Sequence, residues 1–248
     1  MAWSPPYPRF PGRPRAAVRR VRRVAGYGLL VIGLLLIAEA AVTVLWQEPL
    51  TALLTRGEQK KLSAELDRLT AGSAGAHAPG SRLPVLARRL ERRSHEGDPL
   101  GRIVIPKIGA KFVFVEGTKS SDLEKGPGHY TDTAFPGSRG TVGIAGHRTT
   151  YLAPFRNIDD LKRGDRIQLR MPYGTFAYTV AGTKIVSPGD VSVLRHRSGD
   201  WLVLTACHPL YSAAQRIVVS ARLARAQALS SRRPAPAVSS TGRRARRS

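Results

Sequence analysis

The sequence contains almost none of the residue that ties small chains together covalently: 248 residues hold one cysteine, Cys207. A single thiol excludes an intramolecular disulfide and any zinc site built from paired cysteines. It leaves two roles for Cys207, a small buried apolar side chain or a reactive group. Acidic residues are also scarce, 17 Asp and Glu against 40 Lys and Arg, for a net charge of +23. Both ends lack acids altogether: residues 1–24 hold seven Arg and residues 222–248 hold eight. The middle therefore carries only about +8, an ordinary excess rather than a basic face, which argues against a nucleic-acid partner. Ends rich in Pro, Ser, Ala and Arg bury too little apolar surface to offset ordering, so we expect basic disordered tails suited to an anionic lipid or polymer surface. The length allows one folded domain with appendages, not two domains with separate cores.

What the chain does have is one long apolar run. Residues 25–46, from Ala25 to Trp46, contain a single charge, Glu39, and match the length of a membrane-crossing helix. Tyr27 and Trp46 sit at the ends of the run, where amphipathic rings prefer the interface. The seven Arg before it predict a cytoplasmic N-terminus and an external C-terminal domain. The competing reading is a cleavable signal peptide, because Ala38-Glu39-Ala40 follows an apolar stretch from Leu29 to Ile37. Against cleavage, the apolar run continues to Trp46, and both readings put the rest of the chain outside. Beyond it, Leu62, Leu66 and Leu69 at i, i+4, i+7 within Pro49 to Leu69 predict a short amphipathic helix, read as a stalk. Residues 70–84 read as a flexible linker, Val85 to Arg93 as a basic helix, and Asp98-Pro99 as the domain boundary. The expected organisation is a basic cytoplasmic tail (1–24), a transmembrane anchor (25–46), a stalk and linker (47–98), a catalytic domain (99–224) and a disordered basic tail (225–248).

From Leu100 the pattern changes to short apolar runs between turn residues: GRIVIPKI, KFVFVEG, GTVGIAG, RIQLRM, FAYTVAGTKIV, DWLVLTAC and RIVVSARL. Segments such as Lys162-Arg163-Gly164-Asp165 and Pro172-Tyr173-Gly174-Thr175 carry the Gly and Pro chemistry of tight turns. With short helices only near Asp122 and Asn157, the pattern predicts a mainly β, closed or nearly closed antiparallel barrel, with a sandwich as the alternative.

Cys207 ends the apolar run Trp201 to Ala206 and is followed by His208-Pro209, where a strand must give way to a loop. His147, in Gly143-Ile144-Ala145-Gly146-His147, likewise ends an apolar strand, and Arg216 starts the last one. Such strand ends can converge on one barrel mouth. The three types suit acyl transfer: a thiolate attacks a carbonyl, an imidazole moves the proton to the leaving amine, and a guanidinium stabilises the oxyanion. With reference pKa values near 8.5 and 6.5, about 3 % of such thiols and about a quarter of such imidazoles are charged at pH 7, so about 1 % of uncoupled molecules carry the active pair. His208 is the poorer base, because consecutive strand residues face opposite ways. His129 is either a site-lining or a surface histidine, and His77, His95 and His196 receive no role.

These residues resemble the sortase family. Leu204-Thr205-Ala206-Cys207-His208-Pro209, with Arg216 nine residues after the cysteine, is similar to the family's active-site strand, loop and arginine. Gly146-His147-Arg148-Thr149 resembles its histidine motif. Gly126 to Tyr130 and Tyr151-Leu152-Ala153-Pro154-Phe155 resemble the class E sortases of actinobacteria, with classes D and F as runners-up. The resemblance implies an eight-stranded antiparallel sortase barrel without a cofactor. It implies a catalytic triad of Cys207, His147 and Arg216, with Tyr130, Thr205 and Ala206 contacting substrate. It implies cleavage of a Leu-Pro-X-Thr-Gly or Leu-Ala-X-Thr-Gly sorting signal between Thr and Gly, a Cys207 thioester, and transfer of a surface protein to a peptidoglycan-precursor amine. Tyr130 matches the candidate reader of the Ala or Pro position. The sequence departs from the family strand Thr-Leu-X-Thr-Cys at Val203 and Ala206. It carries no acidic cluster like the calcium site of some class A members; Asp159-Asp160 reads as a helix cap. A secreted cysteine peptidase and a catalytically silent wall-binding barrel are the rival readings.

Overall fold

The computed structural model describes residues 15–45, 49–73 and 82–229, so the two expected tails and the 70–84 linker lie partly outside the described residues. The chain divides into two compact units, Met1–Pro49 and Leu50–Ser248.

Among its described residues, the first unit holds the helix α1 (Arg15–Leu45). It begins ten residues before the expected anchor, so Arg20, Arg22 and Arg23 extend the apolar helix rather than a separate tail. Its segment Arg20–Val42 has a mean hydropathy of 2.1 and is long and apolar enough to cross a membrane.

The second unit is a closed barrel of eight strands: β1 (Pro99–Ile105), β2 (Ala110–Glu116), β3 (Gly128–His129), β4 (Thr141–Ala145), β5 (Arg166–Met171), β6 (Gly174–Val186), β7 (Trp201–His208) and β8 (Gln215–Ala228). They close in the order β1-β2-β3-β4-β7-β8-β6-β5. The expected eight-stranded closed barrel is present. Its ladders are not all antiparallel, because β2–β3 and β4–β7 run parallel. The expected runs contain seven of the strands; β3, with two residues, is too short to show any alternation.

Period-2 patterning builds the wall. In β5, Ile167, Leu169 and Met171 face the interior while Arg166 is exposed. In β6, Phe176, Tyr178 and Val180 continue that interior, and a two-residue turn, Pro172-Tyr173, joins the strands after the Met171↔Gly174 pair. The expected boundary at residue 224 falls inside β8, which stays paired to β6 as far as Ala228↔Gly174. Its exposed Arg222 and Arg225 disguise the end of the strand as the start of a charged tail.

The predicted amphipathic helix is α2 (Pro49–Ser73), and it is not a free stalk: it lies along β2. Leu62 and Leu66 pack on Val113 and Val115, whereas Leu69 is 43% exposed. The Gln59 amide occupies the open edge of β2, where Val113 N donates to Oε1 at 2.8 Å and Nε2 donates to Val113 O at 2.9 Å. Asp67 and Arg102 add an ion pair at 3.1 Å. The basic helix expected at 85–93 is α3 (Leu83–Glu91), which tucks Leu83 and Ala87 into the main core. Short helices occur where expected, α4 (Ser120–Leu123) and a 3-10 turn at Ile158–Asp160.

Candidate active site

The parallel β4–β7 pair and the antiparallel β7–β8 pair put the expected residues on one stretch of wall. Cys207 stands directly opposite Arg216, and Ala145 opposite Thr205. Gly146 N donates to Thr205 O at 3.0 Å, so β4 keeps its register with β7 to its end, and His147 follows two residues beyond that end.

The faces of β7 and β8 are set by alternation. Leu202, Leu204, Ala206, Ile217, Val219 and Ala221 belong to the barrel core. Val203 and Val218 instead pack against Val193 and Leu194, which belong to the connection between β6 and β7. Cys207 and Arg216 share the parity of that outer face. Cys207 and Arg216 therefore share the outer wall of the barrel, because the interior positions of the same strands are filled with core side chains. For the same reason Ala206, 3% exposed, points into the core. Its side chain therefore faces away from the outer wall.

The floor of this outer site is shaped by Gly143, where a Cβ would lie 2.8 Å from Leu194 Cδ2 and 2.9 Å from Tyr130 Cδ2. Tyr130 OH bonds Thr205 Oγ1 at 2.8 Å, which brings two of the expected substrate-contacting residues together. Tyr130 is held from behind. Thr133 Oγ1 donates to Tyr130 O at 2.7 Å, accepts from Gly143 N at 3.0 Å and lies 3.1 Å from His129 Nε2. His129 is fully buried with its Nδ1 3.0 Å from Glu116 Oε2, so it neither lines the site nor lies at the surface; it braces the Tyr130 loop.

His147 is half-buried, and burial pushes its pKa below the ordinary value of 6.5, while the negative charge of Glu124 pulls partly the other way. Its ring rests on Tyr151, with centroids 5.1 Å apart. Tyr151 belongs to a left-handed turn, with φ of 52° at Tyr151, 63° at Leu152 and 41° at Ala153, a conformation that costs about 1–2 kcal/mol per non-glycine residue. Buried Ala153 and Phe155 hold the turn in place, and Phe155 N donates to His147 O at 3.0 Å. Arg216 Nη1 donates to the carbonyls of Ala213 and Gln215, both at 3.0 Å, which steadies the guanidinium at the start of β8.

Two features escaped sequence reasoning. Arg148 is 3% exposed, with Nη2 2.8 Å from Asp159 Oδ1. Asp159 is thus engaged by Arg148 rather than acting as a helix cap. His208 turns to the face opposite Cys207 and meets Arg148, its Nδ1 3.3 Å from Nη1. The signal was present: if His147 faces the site, its successor must face away, and an arginine facing away needs partners inside.

The arrangement is a half-exposed thiol, a lowered imidazole and a guanidinium on one wall, the set needed for acyl transfer. The sequence profile described as the sortase domain matches residues 103–224. Sortase D of Bacillus subtilis is 43% identical over 115 residues, 46% of this chain and 56% of that protein. Sortase SrtE1 of Streptomyces coelicolor is 31% identical over 159 residues, 58% of this chain and 45% of that protein, so the chain spans about half the length of these two relatives. The solved structure of sortase E from Streptomyces avermitilis superposes with a TM-score of 0.51 at 33% identity, covering 56% of this chain and 97% of that one.

Proposed function

The chain belongs to the sortase family, and from that premise we propose that it is a membrane-anchored cysteine transpeptidase whose nucleophile is Cys207. The observation that carries the reading is the direct opposition of Cys207 and Arg216 on the outer wall, with His147 just past the end of the neighbouring strand β4.

The chemistry follows from these positions. The Cys207 thiolate attacks the carbonyl carbon of the threonine in a Leu-Ala-X-Thr-Gly or Leu-Pro-X-Thr-Gly signal. The oxyanion that forms is stabilised by the Arg216 guanidinium. Collapse breaks the Thr–Gly bond, the glycine amine leaves with the proton held on His147, and a thioester remains on Cys207. An incoming amine of a peptidoglycan precursor attacks the thioester, gives its proton to His147 and releases the thiolate. Tyr130, half-buried and held by the Thr205 hydroxyl, reads the second position of the signal.

The apolar helix α1 serves as the anchor, and the arginines in its N-terminal turns hold that end in the cytoplasm. Substrates are surface proteins that carry a C-terminal sorting signal outside the membrane. Relatives of both class D and class E occur, and the residues Gly126 to Tyr130 favour the class E preference for Ala in the signal.

Peptide turnover by the full chain in detergent micelles, with and without a glycine-type amine, tests the reading. Transpeptidation predicts cleavage after Thr and an amine-linked product in preference to the free acid. Free acid alone at high amine concentration would make the protein a cysteine peptidase, and no cleavage would leave a silent barrel.

A further inference from the structure

Two residues that this chemistry leaves unused stand back to back with the reactive pair. Arg148 follows His147, and His208 follows Cys207. β4 and β7 are parallel and in register from Thr141↔Trp201 to Ala145↔Thr205. Beyond that last pair Gly146 N still donates to Thr205 O at 3.0 Å, and Arg148 reaches the end of β7. Successive residues of an extended chain face opposite ways. Where His147 and Cys207 share the outer side, Arg148 and His208 share the other.

Their side chains meet there. Arg148 Nη1 lies 3.3 Å from His208 Nδ1 and 3.5 Å from the carbonyl oxygen of Cys207 itself. The rest of the guanidinium is fixed by a third segment: Nε and Nη2 donate to the Arg156 carbonyl at 3.2 and 3.1 Å, and Nη2 pairs with Asp159 at 2.8 Å. A guanidinium only donates, so His208 Nδ1 is the acceptor and the imidazole carries its proton on Nε2. Burying a guanidinium is expensive, and its rigid fork suits a site where several groups must keep fixed positions.

We infer that Arg148 and His208 are positioning residues: their contact clamps the ends of β4 and β7 at the spacing that lets His147 and Cys207 exchange a proton. The inference rests on the reading of Cys207 and His147 as nucleophile and acid–base. Neither clamp residue faces the substrate side. Arg148 acts through the backbone of Cys207 and through its own bond to His147, and His208 acts through Arg148. This gives a reason for a histidine to adjoin the nucleophile without serving as its base.

The test uses the full chain in detergent micelles and the variants Arg148→Met, His208→Ala, His208→Gln and the double variant Arg148→Met/His208→Ala. The first readout is the rate of Cys207 alkylation by iodoacetamide across pH, which needs no peptide; the second is peptide turnover. The clamp predicts that Arg148→Met and His208→Ala each move the alkylation profile toward that of a free thiol. It predicts that each lowers kcat about 100-fold at nearly unchanged KM, the loss expected for a misplacement of about 1 Å. The double variant should lose little more than either single one, because both break one contact. His208→Gln keeps an acceptor for Arg148 and should recover most of the rate. His208 lies at a half-exposed strand end, so its variants stay informative if Arg148→Met does not fold. An unchanged alkylation profile in folded variants overturns the clamp, as do losses that multiply. A wild type whose alkylation profile shifts with these variants but which turns over no peptide supports the clamp and overturns the transpeptidase reading instead.

Discussion

Arg216 stands directly across the β7–β8 ladder from Cys207, both on the outer face of the barrel. Facing Cβ atoms in such a pair are about 5 Å apart, close enough for the guanidinium to reach an oxyanion formed on the sulfur's substrate. Arg216→Ala should therefore lower kcat/KM about 100- to 1,000-fold, the loss seen when one oxyanion donor is removed. Arg216→Lys should recover only part of this, because it keeps the charge without the fork. Steady-state peptide cleavage measures both.

The pH profile should have its acid limb below 6.5, because burial lowers the pKa of His147. Activity falls on the acid side when thiol and imidazole are both protonated, and a lowered histidine reaches that state only at lower pH. Glu124 opposes the lowering. Glu124→Gln should thus move the acid limb further down, and an upward move would contradict the assignment of His147.

Tyr130→Phe removes the hydroxyl that bonds Thr205 at 2.8 Å. One neutral hydrogen bond is worth about 0.5–1.5 kcal/mol, so kcat/KM should drop up to about tenfold. The preference between Ala and Pro in the second position of the signal should narrow in competition assays that use both peptides.

Gly146→Ala places a Cβ 2.5 Å from Phe155 Cδ2 and 2.7 Å from Cε2. Phe155 is fully buried and cannot give way. Overpacking of this kind costs about 1–3 kcal/mol. A lower melting temperature is expected, together with a loss of activity larger than that for the same substitution at Gly189, where a Cβ meets nothing within 4 Å.

The strands of the barrel were legible from the alternation of β5 and β6, dictated by one buried face, and from the continuous apolar run of β7. The candidate residues Cys207, His147 and Arg216 were legible because each sits where such a pattern stops. The face they occupy was not. Ala206 in the core and Cys207 outside differ by one residue, and which parity faces in depends on Leu202, Leu204 and Ile217 finding the same interior. The docking of α2 was hidden for a related reason. Its contact stripe is Thr55, Gln59, Leu62 and Leu66, and half of it is polar, because it must meet backbone groups at the open edge of β2 and at the carbonyls of Glu124 and Lys125. The Arg148 network joins three segments, at 148, 156–159 and 207–208, and only the fold brings Asp159 and His208 to it.

The central claim is that Cys207 carries the acyl group, and intact-mass spectrometry of the full chain tests it most directly. After incubation with Leu-Ala-X-Thr-Gly or Leu-Pro-X-Thr-Gly peptide, the protein should gain the mass of the fragment ending in Thr, on the peptide containing Cys207. Hydroxylamine should remove the adduct, and Cys207→Ala should never form it. A wild-type protein that stays at its own mass, or an adduct that survives Cys207→Ala, would contradict the account.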